Sequence, residues 1–214
     1  MSLSHWILLI SFGVFLVIAA FLVLQVFASA GTKDPSEIRG NRSRAVLYSL
    51  TGAMSPLKKE SARRHVPTYA MGLVFHAGVF LSFLWLVIHF FAIPVPSPFV
   101  LGSRLFLIFS FSVGLALFVK RIVKPKLRSF STLNDYASNL VVAGFEAVTA
   151  FALFNTDAVP VSFIYASVLF LYIPLGKLRH AVYFVPARVH LGLFYGRRGV
   201  WGAKRRNGWE NQNS

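Results

Sequence analysis

The sequence predicts an all-α bundle of five transmembrane helices, with the N-terminus outside and the C-terminus cytoplasmic. Three observations predict it. Of 214 residues, 56% are hydrophobic and 14% charged, with a mean hydropathy of +0.62. Apolar runs recur at the length of roughly 20 residues that crosses a bilayer core. The basic residues gather in the segments between alternate runs.

The runs fall at about 6–28, 69–93, 99–119, 136–154 and 159–178, and residues 1–214 read as a single membrane domain. The first run ends in Ala28-Ser29-Ala30, which resembles a signal-peptidase site. It lacks a basic leading region and is longer than a cleaved signal core, so it reads as an uncleaved helix. Five spans put the termini on opposite sides, and Lys/Arg placement chooses the orientation. Segment 30–68, the loop from Lys120 to Arg128 and the stretch from Lys177 onward hold 21 of the 22 Lys and Arg. The opposite segments, Met1–His5, Ile93–Pro98 and Asn155–Pro160, hold none. The basic side is therefore the expected cytoplasmic side.

A formal net charge of +15 raises the question of nucleic acid. Confined to span-flanking loops, it is accounted for by topology and anionic lipid headgroups, and no nucleic-acid partner is expected. Cysteine is absent, which excludes disulfides, thiolate-held iron–sulfur clusters and c-type haem attachment within this chain. There is no nucleotide-binding glycine loop, Ser/His/Asp set or HExxH motif, and no matched pair of broken helices of the transporter kind. The long basic loop 30–68 and the basic tail 195–214, with Trp201 and Trp209, read either as topology-setting charge or as a docking face for a cytoplasmic subunit.

Ionisable residues inside a span default to a functional reading, and here they are His76, His89, Arg104, Glu146 and, at the end of the fifth run, His180. His76 lies about 10 Å into the second span, given a rise of 1.5 Å per residue. His180 follows Lys177 and Arg179 at the same side. Two histidines at similar depth on separate helices are what axial ligation of a b-type haem requires. Arg63, Arg64, Lys177, Arg179 and Arg188 are the cations available to its propionates. Taken singly, each histidine reads equally as a polar residue bonded to a neighbouring helix or an interfacial side chain. His89 lies roughly 140° around the helix from His76, so it faces elsewhere. His89, Arg104 and Glu146 are quinone-side or proton-path candidates, with a hydrogen bond to a facing helix as the plain alternative for Glu146.

Three stretches carry a resemblance: Phe75-His76-Ala77-Gly78, Arg128-Ser-Phe-Ser-Thr-Leu-Asn-Asp135-Tyr136, and Tyr172-Ile-Pro174-Leu-Gly-Lys177-Leu-Arg-His180. In these, over roughly spans two to five, the chain resembles the gamma-subunit family of respiratory nitrate reductase. That family includes the membrane cytochrome subunits of dissimilatory sulfite-reduction and heterodisulfide-reductase-type complexes. The resemblance implies a five-helix protein with its N-terminus outside. It implies one haem b held by His76 and His180, electron exchange with a quinone, and an iron–sulfur partner subunit on the cytoplasmic side. Two-haem members carry further histidines where this chain has Leu86 and Ser162, so one haem is expected, with a shifted site at His89 as the departure to watch. The expected protein is a cytochrome b-like electron-transfer subunit in the inner membrane of a prokaryote; the alternative is a haem-free anchor or assembly subunit.

Overall fold

The computed structural model describes residues 2–29, 36–55 and 65–201. The described residues form eight α-helices and no strands: α1 (Leu3–Ser29), α2 (Arg42–Leu50), α3 (Val66–Phe90), α4 (Ser97–Val123), α5 (Pro125–Ser129), α6 (Leu133–Phe154), α7 (Val159–Tyr172) and α8 (His180–Arg197). Helices α1, α3, α4 and α6 are each long and apolar enough to cross a bilayer, and α7 with α8 makes a fifth if that broken pair is one span. The chain is a multi-pass, all-α membrane protein in contact with lipid.

The fifth apolar run departs from the continuous helix expected over 159–178. Helix α7 stops at Tyr172, a turn follows through Gly176, a short 3₁₀ segment covers Lys177–Arg179, and His180 opens α8. Pro174 supplies the physical reason. It has no N–H to continue the ladder, and its ring disfavours the helical conformation in the residue before it. His180 therefore sits at the start of a new helix and not on the last turn of a span.

Contacts divide the chain into two compact units. The first comprises the chain up to Leu22 and residues 65–181. Its centre is α6, half of whose most apolar stretch is buried, against 11% for α1. Lipid gives helices no hydrophobic reason to associate, so close approach and side-chain hydrogen bonds must do it. Close approach is visible where Gly114 of α4 lies under the ring of Phe75 and Gly78 of α3 lies against Ser110 and Glu146; a methyl group at either glycine would collide. Trp85 and Ile88 of α3, Leu107 of α4, and Ala150 and Leu153 of α6 form the apolar core. Helix α1 joins through long aromatic side chains, Phe12 and Phe15 meeting Phe170 at ring distances of 5.0 and 5.6 Å.

The ends of these helices are satisfied locally. Thr132 and Asp135 form a reciprocal capping box at the start of α6. Arg104 donates from Nε to Leu153 O at 2.9 Å, taking up a carbonyl left over at the end of α6, and stacks on Phe154. Helix α3 ends with Ala92 at φ 49° and a bond from Ile93 N–H to Ile88 O, a left-handed cap that usually uses glycine.

The second unit comprises residues 23–64 and 182–214. Within it Gly192 and Gly196 of α8 lie against Val46 and Ala45 of α2 without room for a side chain. Asn41 caps α2 by accepting the Arg44 N–H at 2.9 Å. The Arg39 N–H donates to Arg197 O at 2.7 Å, and Arg197 returns a bond to Ser36 O. Trp201 packs on Tyr195 and Tyr48. The short apolar patch Ala45–Leu50 in the basic loop thus lies within helix α2, with Ala45 and Ser49 buried and Leu47 exposed. Residues 30–35 and 56–64 of that loop, and Trp209 of the tail, lie outside the described residues.

Candidate functional site

A cavity of about 480 Å³ opens in the first unit among α3, α4, α6, α7 and the turn that follows α7. Its walls are mostly apolar, from Phe75, Val79, Phe80, Phe83, Val142, Leu169 and Ile173, and His76 and His180 both line it. The structure therefore brings the two expected ligand residues to one site from separate helices. Neither His89, Arg104 nor Glu146 lines this cavity.

What the two imidazoles do with their other nitrogen is decisive for their chemistry. His76 Nδ1 lies 2.7 Å from Gly72 O, and His180 Nδ1 lies 2.7 Å from Lys177 O. A carbonyl only accepts, so in both rings Nδ1 carries the hydrogen and Nε2 keeps its lone pair in the neutral form. A backbone carbonyl on the far nitrogen is the arrangement that orients an imidazole for a metal and raises its basicity.

The segment carrying His180 is held by the first turn of α6. Asn134 Oδ1 accepts from the Tyr172 hydroxyl at 2.8 Å, from the Ser138 hydroxyl at 3.1 Å and from the Lys177 N–H at 3.3 Å. Asp135 pairs through Oδ2 with Lys177 Nζ at 2.5 Å and through Oδ1 with Arg121 at 3.1 Å. The Asp135 side chain is only 13% exposed, so this is more than a surface pair in free solvent. Backbone and side chain of Lys177 are thus both clamped by two adjacent residues of α6, three positions before His180.

Of the expected propionate partners, Lys177 lines the cavity; Arg179 is exposed and bonded to Gly176 O at 3.3 Å. Arg63 and Arg64 lie outside the described residues. Arg188 belongs to the second unit, where its guanidinium contacts Met54 Sδ. Arg121, Asn134, Asp135, Ser138 and Asn139 were missed as site residues. In the sequence Arg121 reads as loop charge. Asn134 and Asp135 belong to a stretch that carries the resemblance and Ser138 and Asn139 follow it, but the partners Tyr172 and Lys177 lie 34 to 43 residues further on in sequence. Asn139 adds a buried Oδ1 with no partner.

His89 is half-buried with its ring 5.3 Å from Trp85. Leu86 and Ser162 are both buried, and Ser162 is bonded to Val159 O. Glu146 has no exposure at all; Ser110 Oγ lies 3.1 Å from its Oε1, and its Oε2 has no partner. Among the described residues no three His, Asp or Glu converge on a bare metal-ion site. What the cavity offers is a pair of imidazoles in an apolar slot, with charge confined to one edge.

A scan against protein-family models, a search of curated proteins and a search of solved structures each returned no match.

Proposed function

We propose that the chain is a membrane electron-transfer subunit of the cytochrome b type. In this reading it relays electrons between a quinone pool and an iron–sulfur subunit on the basic, cytoplasmic side. The observation that carries the reading is the pairing of His76 and His180 across one cavity, each with Nδ1 on a backbone carbonyl and Nε2 free. The residues present fit a haem. The cavity falls in the size range of cofactor sites, roughly 300–1,000 Å³, its walls are aromatic and aliphatic, and its polar groups sit at one edge.

His76 and His180 would hold the haem iron through their imidazoles, and Arg121 and Lys177 would supply cations for its propionates. A bound haem supplies reversible one-electron chemistry. The protein's part is to hold both rings, through Gly72 O and Lys177 O, and to keep the slot dry. It also sets the charge at the edge, where Asp135 offsets Arg121 and Lys177. The resemblance to the nitrate reductase gamma-subunit family points the same way, as do the outside N-terminus and the bacterial or archaeal inner membrane it implies.

The second reading is a haem-free anchor or assembly subunit. The observation in its favour is that Asp135 already pairs both cavity cations, leaving them without need of another anion. The test is a reduced-minus-oxidised visible spectrum with pyridine-haem quantification on the chain purified from haem-replete membranes. One b haem per chain is expected; none would move the protein to the anchor class.

A further inference from the structure

Glu146 is the one acidic side chain among the described residues that is fully buried, and its surroundings are polar without being charged. Ser110 Oγ lies 3.1 Å from both Val74 O and Glu146 Oε1. A hydroxyl has one hydrogen, and a backbone carbonyl can only accept. With Glu146 ionised, a single hydrogen would have to serve two acceptors, and Oε2 would be a buried anionic oxygen with no partner. With Glu146 as the neutral acid, Oε1 donates to Ser110, Ser110 donates to Val74 O, and Oε2 is an ordinary carbonyl oxygen. Both Ser110 contacts are met at once only in the neutral form, and Oε2 lacks a protein partner in either form.

No ion pair among the described residues involves Glu146. The groups that face it or flank it are few. From α4 comes Ser110; Arg104 is taken up by Leu153 O, while Lys120 and Arg121 are engaged with Thr68 and Asp135. From α7 comes Tyr165, which donates to Val141 O at 3.1 Å. From α3 comes Gly78, against which Oε1 rests, whereas His76 lies roughly 160° around that helix on the cavity side. At about 100° per residue, Gly78, Ser82, Trp85 and His89 lie within roughly 60° of one another on a single face of α3. Ser82 Oγ and Trp85 Nε1 on that face are buried without partners, as is Glu146 Oε2. Buried polar atoms of this kind are what internal water satisfies.

We propose that Glu146 is a proton-exchange site, reached by water along the Ser82–Trp85–His89 face of α3, whose proton occupancy is linked to the electron held between His76 and His180. The link rests on the electron-carrier reading above. Its physical basis is that Glu146, through Ser110, bonds to the Val74 carbonyl two residues before His76, so a charge gained at one position is felt at the other. In balance, the oxidised centre with the Glu146 carboxylate takes one electron from a quinol-class donor and one proton from water, giving the reduced centre with the Glu146 carboxylic acid.

The experiment is a redox titration of the whole chain in lipid nanodiscs between pH 6 and 9, with dithionite as reductant, in wild type, Glu146→Gln and Ser82→Ala. Infrared spectra of the same samples report the carboxylic acid directly. Expected are a midpoint that falls with rising pH by up to tenfold in the equilibrium constant per pH unit, about 59 mV for a one-electron couple, and an acid C=O band that shifts in D₂O. Glu146→Gln, which keeps shape and neutrality, should flatten the slope and remove the band while retaining the haem. Ser82→Ala should slow exchange of the band without removing it. An unchanged slope in Glu146→Gln, an acid band that persists in Glu146→Gln, or no acid band in wild type overturns the proton site while the electron-carrier reading stands. A wild-type chain without a haem spectrum overturns that reading, and the link with it.

Discussion

His76 and His180 differ from His89 in what surrounds their rings, although all three lie in or beside apolar runs. The first two give Nδ1 to a carbonyl of their own segment and share a cavity. His89 is wedged on Trp85 in the last turn of its helix. The comparison teaches that a histidine inside a membrane protein becomes a credible ligand when one nitrogen is committed and the other faces space. Depth alone does not distinguish the cases.

The sharpest way to break this comparison is substitution. His76→Ala and His180→Ala should each abolish haem binding in the purified chain, while His89→Ala should leave haem content unchanged by pyridine-haem assay. Equal loss in all three variants would dissolve the distinction.

The next effect should come from the clamp on Lys177. Asn134→Leu removes the acceptor for Tyr172, Ser138 and the Lys177 N–H, so the His180 segment loses its register. Haem affinity is expected to fall about tenfold or more, in line with the cost of losing groups that orient metal-binding histidines. Haem titration of the apoprotein would measure it, and an unaltered affinity would mean the turn holds itself.

A smaller effect should follow at the helix contacts. Gly114→Leu forces a side chain into the ring of Phe75, which neighbours His76, and should destabilise the fold by about 1–3 kcal/mol, the usual cost of overpacking. Thermal unfolding in detergent is the readout. The smallest effect, and of opposite sign, is expected for Ala92→Gly: at φ 49° a side chain costs about 1 kcal/mol that glycine does not incur. A modest rise in unfolding temperature with no change at the cavity would confirm that the α3 cap is independent of the site.

Much of this arrangement is legible in the sequence for identifiable reasons. Hydropathy finds α1, α3, α4 and α6 because a span must be continuously apolar, and single ionisable residues such as His76 and Glu146 stand out against that background. The break after Tyr172 is signalled by Pro174, but its consequence is not: hydropathy continues across the turn, so the run looks like one helix. The clamp is harder still. Asn134 and Asp135 look like ordinary helix-start residues, and Asp135 does form a capping box. Only the fold brings Arg121 and Lys177 to its carboxylate, so the countercharge at the cavity edge cannot be read from local pattern. Glu146 is conspicuous as a lone acid in a span, whereas its one-hydrogen contact with Ser110 depends on how closely Gly78 lets the helices approach.

The central claim is that His76 and His180 ligate one haem together, and near-infrared magnetic circular dichroism of the ferric protein tests it most directly because it reports the pair of axial ligands. The account predicts a bis-histidine signature in wild type that converts to a histidine–methionine signature in His180→Met with haem retained. A bis-histidine signature persisting in His180→Met would contradict it.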